Sequence, residues 1–106
     1  MSVQEVTVGG FEAEVLASEV PVLVDFWSPT CGPCRMMEPV IKELAGEAGG
    51  QFQVKKINVW DEPDLAARYQ IGAVPTLLVF KHGEVVWSAQ GVQDKRKLLK
   101  ALQEAA

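Results

Sequence analysis

The stretch FWSPTCGPCRMMEP, residues 26–39, holds both cysteines of a 106-residue chain, Cys31 and Cys34. Beyond Cys34 the apolar residues are periodic: Met37, Ile41, Leu44 and Ala48 come at steps of three, four, three and four residues. That spacing draws one stripe along a helix and predicts a helix over 33–48 with Cys34 facing inward. Arg35, Glu38, Lys42 and Gly46 fall on the wetter side, with Glu38 and Lys42 spaced for an i,i+4 ion pair. Pro33 suits a first helical turn, where its missing N–H has no partner to lose. Pro39 forgoes a bond to the Arg35 carbonyl and predicts a kink. Cys31 then stands at or just before the helix start, more exposed than Cys34. Helical i,i+3 neighbours have Cβ atoms roughly 5–6 Å apart, close to disulfide reach.

This placement has chemical consequences. A helix N-terminus carries unpaired N–H groups and partial positive charge, which favour a thiolate over a thiol. The thiolate is the form that attacks disulfides. Cys31 is therefore a candidate nucleophile and Cys34 a candidate resolving thiol. A purely structural cross-link is the weaker reading, because closing a four-residue loop restricts the unfolded chain by only roughly 2 kcal/mol. A metal site would need further ligands. The single histidine, His82, lies in a turn signal, so a metal or cluster would have to be shared between two chains.

The remaining composition is that of an ordinary globular protein, 48% hydrophobic and 23% charged, at a length that suits one domain spanning 1–106. A net charge of −4 argues against nucleic acid as a partner. No stretch approaches the ~20 apolar residues of a membrane span. The opening MSVQEVTVGGFEAE lacks the basic and apolar regions of a signal peptide. The expected compartment is the cytoplasm, where a cysteine pair points to redox or metal chemistry.

Near-continuous apolar runs alternate with helical patterns. VPVLVDFW (20–27), FQVKKINV (52–59) and PTLLVF (75–80) read as strands covered on both faces. KHGE (81–84) is a tight-turn signal that joins TLLVF to VVWSA as a hairpin. Helical patterns occupy roughly 10–18, 33–48, 62–70 and 94–105. The order β-α-β-α-β-α-β-β-α gives one α/β layer structure. In the last helix Leu98, Leu102 and Ala105 share a face, and the Lys and Arg residues form a solvated one.

Four pieces, VLVDFW, CGPC, VPTLLVFKHGE and QGV, occur in the order and at the spacing of the thioredoxin family, which the chain resembles over nearly its whole length. The resemblance implies a central five-stranded mixed sheet flanked by four helices. It implies reduction of protein disulfides without a bound cofactor and recharging by a separate thioredoxin reductase; the small charged surface points to a monomer. Cys31 matches the nucleophile and Cys34 the resolving cysteine. Asp25 matches a buried acid that helps deprotonate the second thiol, and a carboxyl among Leu23, Val24 and Phe26 is expected to be desolvated, with a raised pKa. Lys56 matches a lysine that neighbours this acid. Pro75 matches a proline preceded by a cis bond, which would set the Val74 backbone beside the cysteines for pairing with a substrate strand. Trp27, Gly32, Pro33, Gly72, Ala73, Gly91 and Val92 match the rest of the docking surface.

Two positions depart from the family pattern. Thr30 stands where most members have Trp, and Trp60 where they have Asp. Both fall on the face that meets substrate and reductase, and Trp60 is expected to refill part of the apolar surface lost at Thr30. The leading reading is a disulfide reductase. The alternative is an interaction module of the same fold whose redox activity is incidental.

Overall fold

In the computed structural model, which describes residues 3–106, the apolar runs lie side by side as a five-stranded sheet. The strands are β1 (Gln4–Glu5), β2 (Val22–Trp27), β3 (Gln53–Asn58), β4 (Thr76–Lys81) and β5 (Glu84–Gln90). Their spatial order is β1-β3-β2-β4-β5. The β1–β3 and β3–β2 pairs are parallel, and the β2–β4 and β4–β5 pairs antiparallel. Among the described residues four helices cover the sheet: α1 (Val8–Phe11), α2 (Gly32–Gly46), α3 (Pro63–Arg68) and α4 (Lys95–Ala105). This is the mixed α/β arrangement implied by the sequence.

Successive side chains of a strand point to opposite faces, and β2 shows why its sequence is apolar throughout. Leu23 joins a core with Met37, Ile41, Leu44, Val54, Leu77, Val79, Leu98 and Leu102, under α2 and α4. Val22, Val24 and Phe26 join the other core, with Phe11, Val15, Ile57, Leu65, Leu78 and Phe80, under α1 and α3. Phe11, Tyr69 and Phe80 meet edge to face or tilted in that second core, with centroids 5.2–5.7 Å apart. Asp25 is the one ionisable residue of β2, and by alternation it faces α2 with Leu23.

Local signals account for most element ends. His82 and Gly83, with φ of 52° and 81°, form the two-residue turn between β4 and β5. Left-handed values at both positions are what such a hairpin requires. Asp94 caps α4 by accepting a bond from the Lys97 N–H at 2.8 Å.

Three expectations need correction. The first helical pattern was expected over 10–18 as a single helix. Instead α1 starts at Val8 and passes into a π-helical turn over Glu12–Leu16. Glu38 and Lys42 are both exposed and form no ion pair within 4 Å among the described residues. The basic face of α4 is not wholly solvated, since Lys95 is half-buried and bridges Glu43 and Glu47 of the α2 C-terminal region.

The packing gives a measurable contrast. Leu23→Ala, at a fully buried position, should destabilise the fold by roughly 2–5 kcal/mol. Asp94→Ala, which removes one cap, should cost about 1 kcal/mol. Urea midpoints of the two variants check the order, and equal losses would contradict it.

Candidate active site

β2 ends at Trp27, and a short turn, in which the Cys31 N–H bonds the Ser28 carbonyl at 3.3 Å, delivers the chain to α2. Cys31 is the N-cap, with extended backbone at φ −100° and ψ 112°. Its sulfur does what a Ser or Asp oxygen does at other helix starts, accepting the Cys34 N–H at 3.1 Å. Gly32 and Pro33 fill the intervening positions, exposed, with Pro33 in the first turn. Cys31 and Cys34 are bonded to each other, with Cα atoms 5.2 Å apart. Cys31 is 9% exposed and Cys34 3%. The order of exposure is the one expected, but even the outer sulfur shows only an edge to solvent.

The loop before β4 approaches from the other side. The Val74–Pro75 bond is cis, and the Val74 carbonyl oxygen lies 3.6 Å from Cys31 Sγ. Two bonds fix this loop: the Thr76 hydroxyl donates to Ala73 O at 2.6 Å, and the Gly91 N–H donates to Pro75 O at 2.8 Å. Gly91 has φ 84°, a conformation that glycine adopts without strain. The Val74 N–H makes no bond to the described residues. Gly72, Ala73 and Val92 are exposed around this loop, Val74 and Gly91 half-buried, and Pro75 buried.

Asp25 is 2% exposed, and its Oδ1 has no hydrogen-bond partner among the described residues. Burial pushes its carboxyl from 3.8 up to about 7, Lys56 pulls it down, and Glu5 and Glu38 push it further up. Lys56 is the register partner of Asp25 on β3 but makes no ion pair with it. Trp27 is half-buried. Its Nε1–H donates to Glu5, and Lys56 Nζ sits 5.1 Å from the ring centroid. The indole is therefore engaged by neighbours on β1 and β3. Sequence reasoning missed Glu5, for which only the strand register provides a signal. Thr30 and Trp60 are both exposed, Trp60 at 60%, with its N–H held by Asn58 Oδ1.

Two cavities, about 580 Å³ beside Glu47 and Asp94 and about 330 Å³ beside Tyr69 and Ser88, are not lined by the cysteines. Cys31 keeps a small exposed area, and Met36, Ala73 and Val92 are exposed, which suits a macromolecular disulfide better than a small molecule. Among the described residues no cluster of His, Cys, Asp or Glu could hold a metal ion.

Known proteins resemble this chain along almost all of it. A sequence model of the thioredoxin family matches residues 2–104. Thioredoxin of Pyropia yezoensis is 48% identical over 102 residues, which is 96% of this chain and 95% of that one. Thioredoxin 1 of a Nostoc species is 45% identical over 94% of each chain. The bifunctional thioredoxin reductase/thioredoxin of Mycobacterium leprae is 42% identical over 94% of this chain and 22% of its own length.

A buried carboxyl with a raised pKa lowers folded stability as pH rises. The folded state holds the proton longer than the unfolded one, so stability falls between about pH 4 and pH 7 and is flat outside that window. A rise from 3.8 to about 7 corresponds to roughly 4 kcal/mol. Asp25→Asn cannot ionise, so its stability relative to the wild type should rise by about that amount between pH 4 and pH 8. Urea unfolding of the disulfide form measures this, and a pH-independent difference would contradict the burial of a titrating acid.

Proposed function

The chain belongs to the thioredoxin family, and from that premise we propose how its residues divide the work of thiol–disulfide exchange. It is a protein-disulfide reductase that cycles between a Cys31–Cys34 dithiol and a disulfide. The observation that carries the division of roles is the Cys34 N–H aimed at Cys31 Sγ at 3.1 Å. In the reduced protein this bond and the α2 dipole stabilise negative charge on Cys31 and not on Cys34.

The substrate docks beside Val74 and Pro75, where the free Val74 N–H and its carbonyl offer a short strand edge. Gly72, Ala73, Gly91, Val92, Gly32 and Pro33 form the surrounding surface, and Trp27 supports it from below. Cys31 thiolate attacks one substrate sulfur. A mixed disulfide forms and the other substrate sulfur leaves as a thiolate. Asp25, as carboxylate, takes the proton of Cys34 directly or through water, with Lys56 beside it. Cys34 thiolate then attacks Cys31 Sγ, and the first substrate sulfur leaves. Two electrons have passed to the substrate, and the chain holds the Cys31–Cys34 disulfide.

A separate thioredoxin reductase returns the two electrons in this proposal. The fusion of the two activities in the Mycobacterium leprae relative supports such a pairing. One copy carries every residue assigned here, so the proposed unit is a monomer. The proposed compartment is the cytoplasm, where a dithiol is kept reduced. Among the described residues no helix is long and apolar enough to cross a membrane.

Cys31→Ser should abolish turnover in an insulin-reduction assay. Cys34→Ser should still attack and should accumulate mixed disulfides with substrate, visible by non-reducing electrophoresis. Full activity of Cys31→Ser would reject the assignment of the nucleophile.

A further inference from the structure

Lys56 stands between two carboxylates. Its register partner on β1 is Glu5, and its partner on β2 is Asp25. In-register residues of neighbouring strands send their side chains to the same face, here the face covered by α2. Trp27, two residues beyond Asp25, closes the group. Its Nε1–H donates to both oxygens of Glu5, at 3.0 and 3.3 Å, while Lys56 Nζ lies over its ring. Lys56 comes within 4 Å of neither acid, and its charge lowers the pKa of both.

We propose that Glu5 is a positioning residue of the exchange reaction, anchored to Trp27 and drawing the Lys56 ammonium away from Asp25 so that Asp25 keeps its affinity for the Cys34 proton. The proposal rests on the role given to Asp25 under the proposed function. An ammonium committed to Asp25 would stabilise the carboxylate and make it a weaker base. A second acid on the far side of the lysine, fixed by two hydrogen bonds, opposes that.

The charged groups facing Asp25 form a short set. β3 presents Lys56 and β1 presents Glu5. α2 presents Cys34, Glu38 and Lys42. The last two line an open cavity of about 190 Å³ together with Val3, Ile41 and Lys56. β4 presents apolar Leu77, and the buried face of α4 is Leu98, Ala101 and Leu102. Glu5 and Glu38 both act on Asp25 in the same direction, upward. Only Glu5 is fixed by a hydrogen bond, and only Glu5 is in register with the lysine. The Glu5 carboxyl is itself raised, first by burial, with the Trp27 bond and Lys56 lowering it and Asp61 raising it.

Glu5→Gln removes the charge and keeps an acceptor for the indole. In the disulfide form, with the Asp25 carboxyl carbon labelled, its NMR titration midpoint should fall by about half a pH unit. Glu104→Gln on α4 should leave the midpoint in place. In a Lys56→Met background the shift caused by Glu5→Gln should shrink to less than about half its size, because no shared ammonium remains to be released. The pH profile of mixed-disulfide resolution should move in the same direction as the midpoint. An unmoved midpoint in folded Glu5→Gln overturns the proposal, and so does an undiminished shift in the Lys56→Met background. The titration needs no turnover. A midpoint that moves while the resolution profile stays fixed therefore rejects the role of Asp25 in the reaction and, with it, the role of Glu5.

Discussion

A sulfur atom caps α2, and the chemistry of the molecule follows from that contact. The N-terminal turn of any helix leaves N–H groups without partners. Most sequences satisfy one of them with a hydroxyl or carboxylate oxygen, and here Cys31 Sγ takes the place. The choice ties a structural need to a reactive group. The same N–H that holds the start of the helix favours the charged form of the thiol when the disulfide is open. Cys34 cannot share this advantage. It lies one turn deeper and faces the core with Met37, Ile41 and Leu44. One helix start thus makes two chemically unequal thiols from two identical residues.

In the proposed exchange the inner thiol gives up its proton to a base. Cys34 is 3% exposed, and in that proposed exchange its proton goes to Asp25, which is also buried. β2 sets Asp25 on the face that α2 covers. Burial raises its carboxyl to about 7, near the range in which a thiol and a carboxylate can exchange a proton without a large uphill step. The buried Oδ1, without a hydrogen-bond partner among the described residues, marks the energetic penalty of keeping such a group inside.

Much of this was legible in the sequence, and the gaps have physical causes. The apolar runs at 20–27 and 75–80 announced central strands because both faces are covered. The Cys34–Met37–Ile41–Leu44 stripe announced α2, since each of those residues is buried. The π-helical turn at Glu12–Leu16 left no trace, because the spacing of Phe11 and Val15 fits an ordinary helix equally well. α3 was drawn two residues too long at its C-terminal end. Gln70 adopts φ 56°, a left-handed conformation that a side chain of this type does not advertise. The candidate site residues rest on motif resemblance, whereas the surroundings of Asp25 carry no motif. β1 is two residues long, too short for alternation to show, so nothing in the sequence placed Glu5 opposite Lys56.

That two-residue strand does more than its length implies, and the adjacent lysines of β3 show why. Lys55 and Lys56 point to opposite faces of the sheet, so each must find its own partners. Lys55, 7% exposed, reaches Gln4 and lies 3.8 Å from Glu14 under α1 and its π-helical continuation. Lys56 faces α2, in register with Glu5 and Asp25, and lies over the Trp27 ring. A buried ammonium without partners would be costly, and β1 supplies one residue to each side. Its short pairing with β3 therefore sets Gln4 opposite Lys55 on one face and Glu5 opposite Lys56 on the other. A one-residue slip of β1 would exchange the two faces. It would turn Gln4 toward Lys56 and leave Trp27 without its acceptor, so the electrostatics of the site depend on the register of the smallest strand in the sheet.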